Sequence, residues 1–117
     1  MRRAALLLPL ATALALAGCI TFHTVDDGIS RAVIGETARV GHHTVVPQKL
    51  LEDSRCPTGV QCIQAGRVRI SALVDGAEGE LTLGAAASPV RLVEVTPVRR
   101  AGVTYYPDEY RFGFAPG

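Results

Sequence analysis

The residues with the clearest chemical potential lie in one short stretch, residues 52–62 (EDSRCPTGVQC), in which Cys56 and Cys62 flank five residues. Redox sites of the thioredoxin type use Cys-x-x-Cys at a helix start, where the helix dipole stabilises the thiolate. Structural zinc sites need four ligands and commonly space paired cysteines about two to four residues apart. Pro57 and Gly59 favour a tight turn that brings two Cα atoms to the roughly 4.4–6.8 Å of a disulfide. A local disulfide is therefore the prediction.

Charged and polar residues of the same stretch have two interpretations. Asp53 and Arg55 are candidates for a charged pair presented to a partner at the mouth of the loop. Alternatively, Asp53 accepts backbone N–H bonds of the turn while Arg55 pairs with a neighbouring acid, a common way to organise a loop. Thr58, Val60 and Gln61 are candidate partner-binding residues inside the ring.

Metal and catalytic chemistry have little support in the sequence. The three histidines are His23, His42 and His43, which together could hold copper or zinc. Consecutive strand residues point to opposite faces, so the adjacent pair does not easily share an ion. No Gly-x-Ser-x-Gly or comparable set of nucleophile, base and oxyanion donors is present. We therefore expect no enzyme, no metal site and no cofactor.

The amino-terminal residues 1–18 have the order of a secretory signal: arginines, a run of Ala and Leu, then small residues. The apolar run 4–20, which contains Pro9 and Thr12, is shorter than the roughly 20 residues of a permanent membrane span. A cleaved export signal is the prediction.

The end of this signal, Leu16-Ala17-Gly18-Cys19, resembles the lipobox of bacterial lipoproteins. The resemblance implies cleavage before Cys19, a diacylglycerol on its sulfur and usually an acylated amino terminus. Two or more chains hold a protein firmly on a membrane. Ile20, rather than aspartate, follows the cysteine; by the same resemblance this implies the outer membrane, facing the periplasm.

Composition limits the remaining possibilities. Removal of residues 1–18 leaves 99 residues, with 10 Lys plus Arg and 11 Asp plus Glu. This is enough chain for one small domain. The net charge near −1 and the export signal disfavour nucleic acid as a partner. With Cys19 lipidated, two cysteines remain in an oxidising compartment, which again favours one disulfide.

The mature chain has the pattern of an all-β protein: a small antiparallel β-sandwich or barrel-like domain of about six or seven strands. Residues 66–75 alternate apolar and polar side chains, and Asp75-Gly76 begins a hairpin with an expected loop of four or five residues. Residues 43–52 contain Pro47, which predicts an edge strand or a bulge. The aromatics of residues 110–114 are expected to close the core.

Residues 19–35 show no sustained periodicity and are expected to form the lipidated amino terminus and tether, with a short strand near residues 32–34. The β domain is then assigned to residues 36–117.

The cysteine stretch and its continuation, through Ala65-Gly66 and an alternating strand, resemble the EDSRCPxxxxCxxAG signature of small secreted or lipid-anchored bacterial proteins. The likeness spans residues 37–114 and implies a small β domain with no assigned activity. That family often has tryptophan where this chain has Gln64.

Together these observations predict a non-catalytic, lipid-anchored protein of the cell envelope with a structural or protein-binding role, whose partners are the membrane, through the lipid, and an envelope protein. The alternative is an inhibitor of a periplasmic enzyme that presents the Cys56–Cys62 loop.

Overall fold

The structure is a computed structural model that describes residues 27–117. These contain seven strands and one 3₁₀ turn, η1 (Pro107–Glu109). The strands are β1 (Ser30–Ala32), β2 (Ala38–Val40), β3 (His43–Asp53), β4 (Val68–Val74), β5 (Ala77–Thr82), β6 (Val90–Thr96) and β7 (Arg111–Pro116). Across residues 27–117 no helix has the length and apolar character to span a bilayer. The predicted signal peptide, Cys19 and His23 lie outside the described residues.

The strands form two antiparallel sheets with the orders β1-β7-β6 and β2-β3-β4-β5. Buried side chains from both sheets form one apolar cluster. This confirms the predicted all-β class, and the strand number agrees with the prediction.

The core follows the alternation seen in the sequence. Val68, Ile70 and Ala72 of β4 are fully buried, as are Phe112 and Phe114 of β7. Because successive strand residues point to opposite faces, each of these strands contributes one apolar face.

The aromatic side chains near β7 close this core, as predicted. Tyr110 is buried and stacks on Phe112, with ring centroids 6.1 Å apart and planes at 10°. Tyr105 packs edge-on against Tyr110 at 6.4 Å. Burial of such large apolar surface is a major source of stability in a small domain.

The hairpin between β4 and β5 is tighter than the sequence predicted. Val74 pairs with Ala77, which leaves a loop of Asp75 and Gly76 alone. These residues have φ of 50° and 81°. Positive φ at both central positions is the geometry of a two-residue reversal that matches the strand twist, and Asp-Gly favours it. The expected loop of four or five residues was therefore wrong.

Pro47 lies in a bulged strand, which was one of the two predicted outcomes. β3 is not an edge strand, since it lies between β2 and β4. The β3–β4 register shifts between Pro47 and Lys49. β2 pairs only with residues 43–45, so Pro47 lies beyond that pairing, and its carbonyl accepts the Gly35 N–H at 2.8 Å. A residue without an N–H is tolerated there.

The folded domain begins before Glu36. β1 lies within the segment assigned to the tether, pairs with β7 and buries Ala32 to 1% exposure. Arg31 is within 2.7 Å of Asp27 and 2.8 Å of Glu94, which ties the strand's outer side to β6. The β domain therefore extends into the segment that was predicted to be a tether.

Candidate functional site

Two long connections meet at one end of the sandwich. The first loop is residues 54–67, between β3 and β4, and the second loop is residues 97–106, between β6 and η1. The Thr58 N–H donates to the Arg99 carbonyl at 2.8 Å, and Thr58 forms a parallel bridge with Arg100. We call these segments the paired loops.

A disulfide closes the tip of the first loop. Cys56 and Cys62 are bonded, with Cα atoms 5.9 Å apart. Inside the ring the Val60 N–H donates to the Pro57 carbonyl at 3.2 Å, and Gly59 has a φ of 85°. The predicted disulfide and its turn are thus confirmed.

Asp53 and Arg55 bind each other rather than lying open at the loop mouth. The Arg55 Nε is 2.8 Å from Asp53 Oδ1 and its Nη2 is 2.9 Å from Asp53 Oδ2. The Arg55 side chain is only 16% exposed and the Asp53 side chain only 6%. Planar, two-pronged pairs of this type are among the stronger polar contacts in proteins. The neighbouring acid expected for Arg55 is therefore Asp53 itself.

This ion pair also connects the two sheets. Arg55 donates to the carbonyls of Val95 at 3.0 Å and Pro97 at 2.9 Å, which belong to β6 and the residues just after it. Tyr110 donates its hydroxyl to Asp53 Oδ2 at 2.7 Å. The pair therefore braces the base of the paired loops instead of being free for a partner.

The protonation states follow from these contacts. Burial alone would raise the pKa of Asp53, but hydrogen bonds from Arg55 and Tyr110 and the Arg55 charge outweigh it, so this pKa lies below 3.8. The hydrogen bond to Asp53 raises the pKa of Arg55. Burial, followed by the hydrogen bond to Asp53, raises the pKa of Tyr110 to about 12. The cluster is thus ionised at Asp53 and Arg55 and neutral at Tyr110 over the physiological range.

Arg99 links the second loop to the backbone of Asp53 and Arg55. Its Nη1 donates to the carbonyls of Asp53 at 3.3 Å and Arg55 at 3.1 Å. Because a side chain of the second loop binds the backbone of the first, the loops are held together by more than the Thr58 bridge.

The remaining residues of the Glu-Asp-Ser-Arg stretch face outward. Glu52 pairs with Arg67 at 2.8 Å and Arg69 at 3.4 Å, and Arg69 continues to Glu80 at 2.7 Å. The Arg67 N–H donates to Ser54 Oγ at 3.0 Å. The hydrogen bond from Arg67 lowers the pKa of Glu52. An open cleft of about 400 Å³ adjoins this row; it is lined by Glu52, Ser54, Gln64, Ala65, Gly66 and Arg67.

Gly66 is required by a close backbone approach. A Cβ at this position would lie 1.5 Å from the Ser54 carbonyl oxygen and 2.7 Å from the Arg55 nitrogen. Only a residue without a side chain allows the end of the first loop to run against its beginning.

Exposed apolar side chains concentrate on the paired loops. Among residues 27–117, six large hydrophobic side chains are exposed, and all but Leu51 belong to these loops. They are Val60, Ile63, Val98, Val103 and Tyr106. Thr58 and Gln61 are exposed in the ring as well. Of the exposed hydrophobic residues on these loops, only Val60 was predicted from the sequence. Val98 and Val103 do not continue the alternation of any strand, which is a signal that they are exposed.

His42 and His43, the histidines within residues 27–117, do not lie at this end of the domain. His43 Nδ1 is 2.7 Å from Asp75 Oδ2, and Asp75 Oδ1 accepts the Thr44 N–H at 3.0 Å. His42 lies in the exposed turn before β3. Within residues 27–117, no three side chains of His, Cys, Asp or Glu are grouped to hold a metal ion.

No family model, curated protein or solved structure matches this chain.

Proposed function

We propose that this protein is a non-catalytic, lipid-anchored component of the cell envelope whose β domain binds a protein partner through the paired loops. The observation that carries this proposal is the concentration of exposed apolar side chains there. Apart from Leu51, every exposed large hydrophobic side chain among residues 27–117 lies on these loops. Clustered exposed apolar surface is typical of interaction sites.

The rigidity of the loops supports binding. The disulfide, the Thr58–Arg99 hydrogen bond and the Asp53–Arg55 pair hold the backbone in place before a partner arrives. A surface that is already ordered loses less conformational entropy on binding. Tyr106, 69% exposed, and Arg100 add the residue types that dominate binding energy in many interfaces.

The lipobox-like segment supports a partner in the envelope. Cys19 precedes Asp27 by eight residues. A fully extended chain of that length spans at most about 30 Å. A lipid on Cys19 would therefore hold the domain near the membrane, on the proposed periplasmic face of the outer membrane. Cys19→Ala is expected to release the protein from the membrane fraction; retention would contradict the anchor.

Site-specific crosslinking in cells tests the binding surface. A photoreactive amino acid at Ile63 is expected to capture one defined protein. The matched control carries the same group at Leu51, which is exposed but lies on β3 outside the paired loops. Equal capture from both positions, or none from Ile63, would contradict the proposal.

A second candidate is inhibition of a periplasmic enzyme by the Cys56–Cys62 ring. The observation in its favour is that the ring presents Val60, 44% exposed, on a covalently closed turn. Replacing Thr58, Val60 and Gln61 together with alanine should then abolish capture, whereas Val103→Ala should not. In the two-loop interface that we favour, both changes weaken capture.

A further inference from the structure

The paired loops have an unusual distribution of charge. Residues 54–67 and 97–106 contain four arginines, namely Arg55, Arg67, Arg99 and Arg100, and no aspartate or glutamate. The whole chain has nearly equal numbers of acidic and basic residues. The excess of basic over acidic residues is therefore a property of the paired loops and not of the whole chain.

Half of this charge is neutralised within the domain. Arg55 is paired with Asp53, and Arg67 is paired with Glu52. Arg99 donates only to backbone carbonyls, and its guanidinium has no carboxylate partner among residues 27–117. The exposed Arg100 side chain makes no ion pair or hydrogen bond within the described part of the chain.

Two acidic residues, Asp108 and Glu109, follow the second loop in sequence. Glu109 Oε2 accepts the Tyr106 N–H at 2.6 Å, which fixes it at the base of the loop. Asp108 is exposed on η1. Among residues 27–117 neither acid forms an ion pair with Arg99 or Arg100, so both guanidinium groups are without a carboxylate partner beside Val98 and Val103.

We infer that the protein bound by the paired loops presents an acidic rim around an apolar patch. The inference rests on the proposed function and adds the chemistry of the partner. The valines, Ile63 and Tyr106 would pack on the apolar patch, while Arg100 would face carboxylates at its edge. Complementary charge of this kind steers association and makes binding sensitive to salt.

The test begins with the protein captured from Ile63 in the full lipidated chain. That protein is purified, and its association with the lipidated chain in detergent is measured at low and high NaCl. Raising the salt is expected to slow association about tenfold. At low salt Arg100→Glu should slow it by at least the same factor.

Arg39→Glu is the matched control, since Arg39 is exposed on β2 and its side chain makes no ion pair within residues 27–117. It should change the rate less than about twofold. Urea titration of each variant verifies that the fold is retained.

The outcomes separate the two proposals. A captured partner that binds equally well at both salt concentrations, or binds Arg100→Glu as tightly as wild type, overturns the acidic rim but leaves the protein-binding function standing. If Ile63 captures no protein and the photoreactive group instead labels lipid in phosphatidylcholine–phosphatidylglycerol vesicles, the paired loops bind an anionic membrane. Both proposals are then wrong.

Discussion

The hydroxyl of Tyr110 lies 2.7 Å from Oδ2 of Asp53 and donates a hydrogen bond to it. Tyr110 immediately precedes β7 in one sheet, and Asp53 ends β3 in the other. Arg55 donates to both oxygens of the same carboxylate and also reaches the carbonyls of Val95 and Pro97. One nearly buried carboxylate therefore organises the base of the paired loops and joins the sheets.

Tyr110→Phe should destabilise the domain by about 1.5 to 3 kcal/mol, the usual range for a hydrogen bond to a charged group. The phenyl ring keeps its stack on Phe112, so the loss reports on the hydroxyl. Urea unfolding measures the free energy. Tyr106→Phe is the control because Tyr106 is 69% exposed, and it should change the value by less than about 0.5 kcal/mol. Equal effects of the two changes would argue against the bond.

High pH should destabilise the protein through the same tyrosine. Burial and the hydrogen bond to Asp53 raise the pKa of Tyr110 from 10.0 to about 12, so the folded state favours the protonated form. Its contribution to stability is complete below pH 10.0 and is lost as the pH rises toward about 12. Tyrosinate absorbance should show one late step that disappears in Tyr110→Phe. Persistence of that step would assign it to another tyrosine.

Low pH should weaken the Asp53–Arg55 ion pair by protonating Asp53. Because the pKa of Asp53 is lowered below 3.8 in the folded state, its contribution is present above that value and is lost as the pH falls through the folded pKa. Asp53→Asn leaves the mostly buried Arg55 unpaired and should cost about 3 kcal/mol at neutral pH. The variant should also show a shallower loss of stability in acid. Urea unfolding at several acidic pH values measures this. The same pH dependence of the unfolding free energy in wild type and variant would contradict the assignment.

Gly66→Ala should destabilise the domain more than ordinary overpacking, which costs about 1–3 kcal/mol. The added Cβ would lie 1.5 Å from the Ser54 carbonyl oxygen, a backbone atom that cannot move alone. Gly79→Ala is the matched control, since no heavy atom lies within 4 Å of a Cβ built there on β5. Thermal unfolding should show a large loss for the first variant and little for the second. Similar melting temperatures would mean that the first loop can shift freely.

Local pattern was enough to predict β4, the aromatic closure near β7 and the disulfide. In each case the signal lies within about ten neighbouring residues, such as the alternation from Val68 to Val74. The length of the Asp75-Gly76 loop was predicted wrongly although the sequence carries the signal, because Asp-Gly favours a two-residue turn with positive φ at both positions. The contacts of the charged residues in the first loop were harder to predict, since several of their partners are remote in sequence.

Arg55 illustrates the difficulty. Its acid partner is two residues away, but its carbonyl partners at Val95 and Pro97 are about 40 residues away. β1 is similar: three residues have no periodicity of their own, and pairing with the carboxyl-terminal β7 makes them a strand. The apolar character of the paired loops likewise emerges only when the fold joins Thr58 to Arg99.

Removal of the disulfide by Cys56→Ser with Cys62→Ser should cost about 2 kcal/mol, because a ring of this size constrains the unfolded chain only modestly. The loop base should survive, since Arg99 and the Asp53–Arg55 pair hold it independently of the sulfur atoms. Hydrogen exchange should therefore show faster exchange at Val60, whose N–H bonds inside the ring, and less change at Thr58, whose N–H bonds to the second loop. Equal acceleration at both amides would show that the disulfide holds the paired loops together. The double serine variant would then lose the partner contacts of Val103 as well as those of Val60.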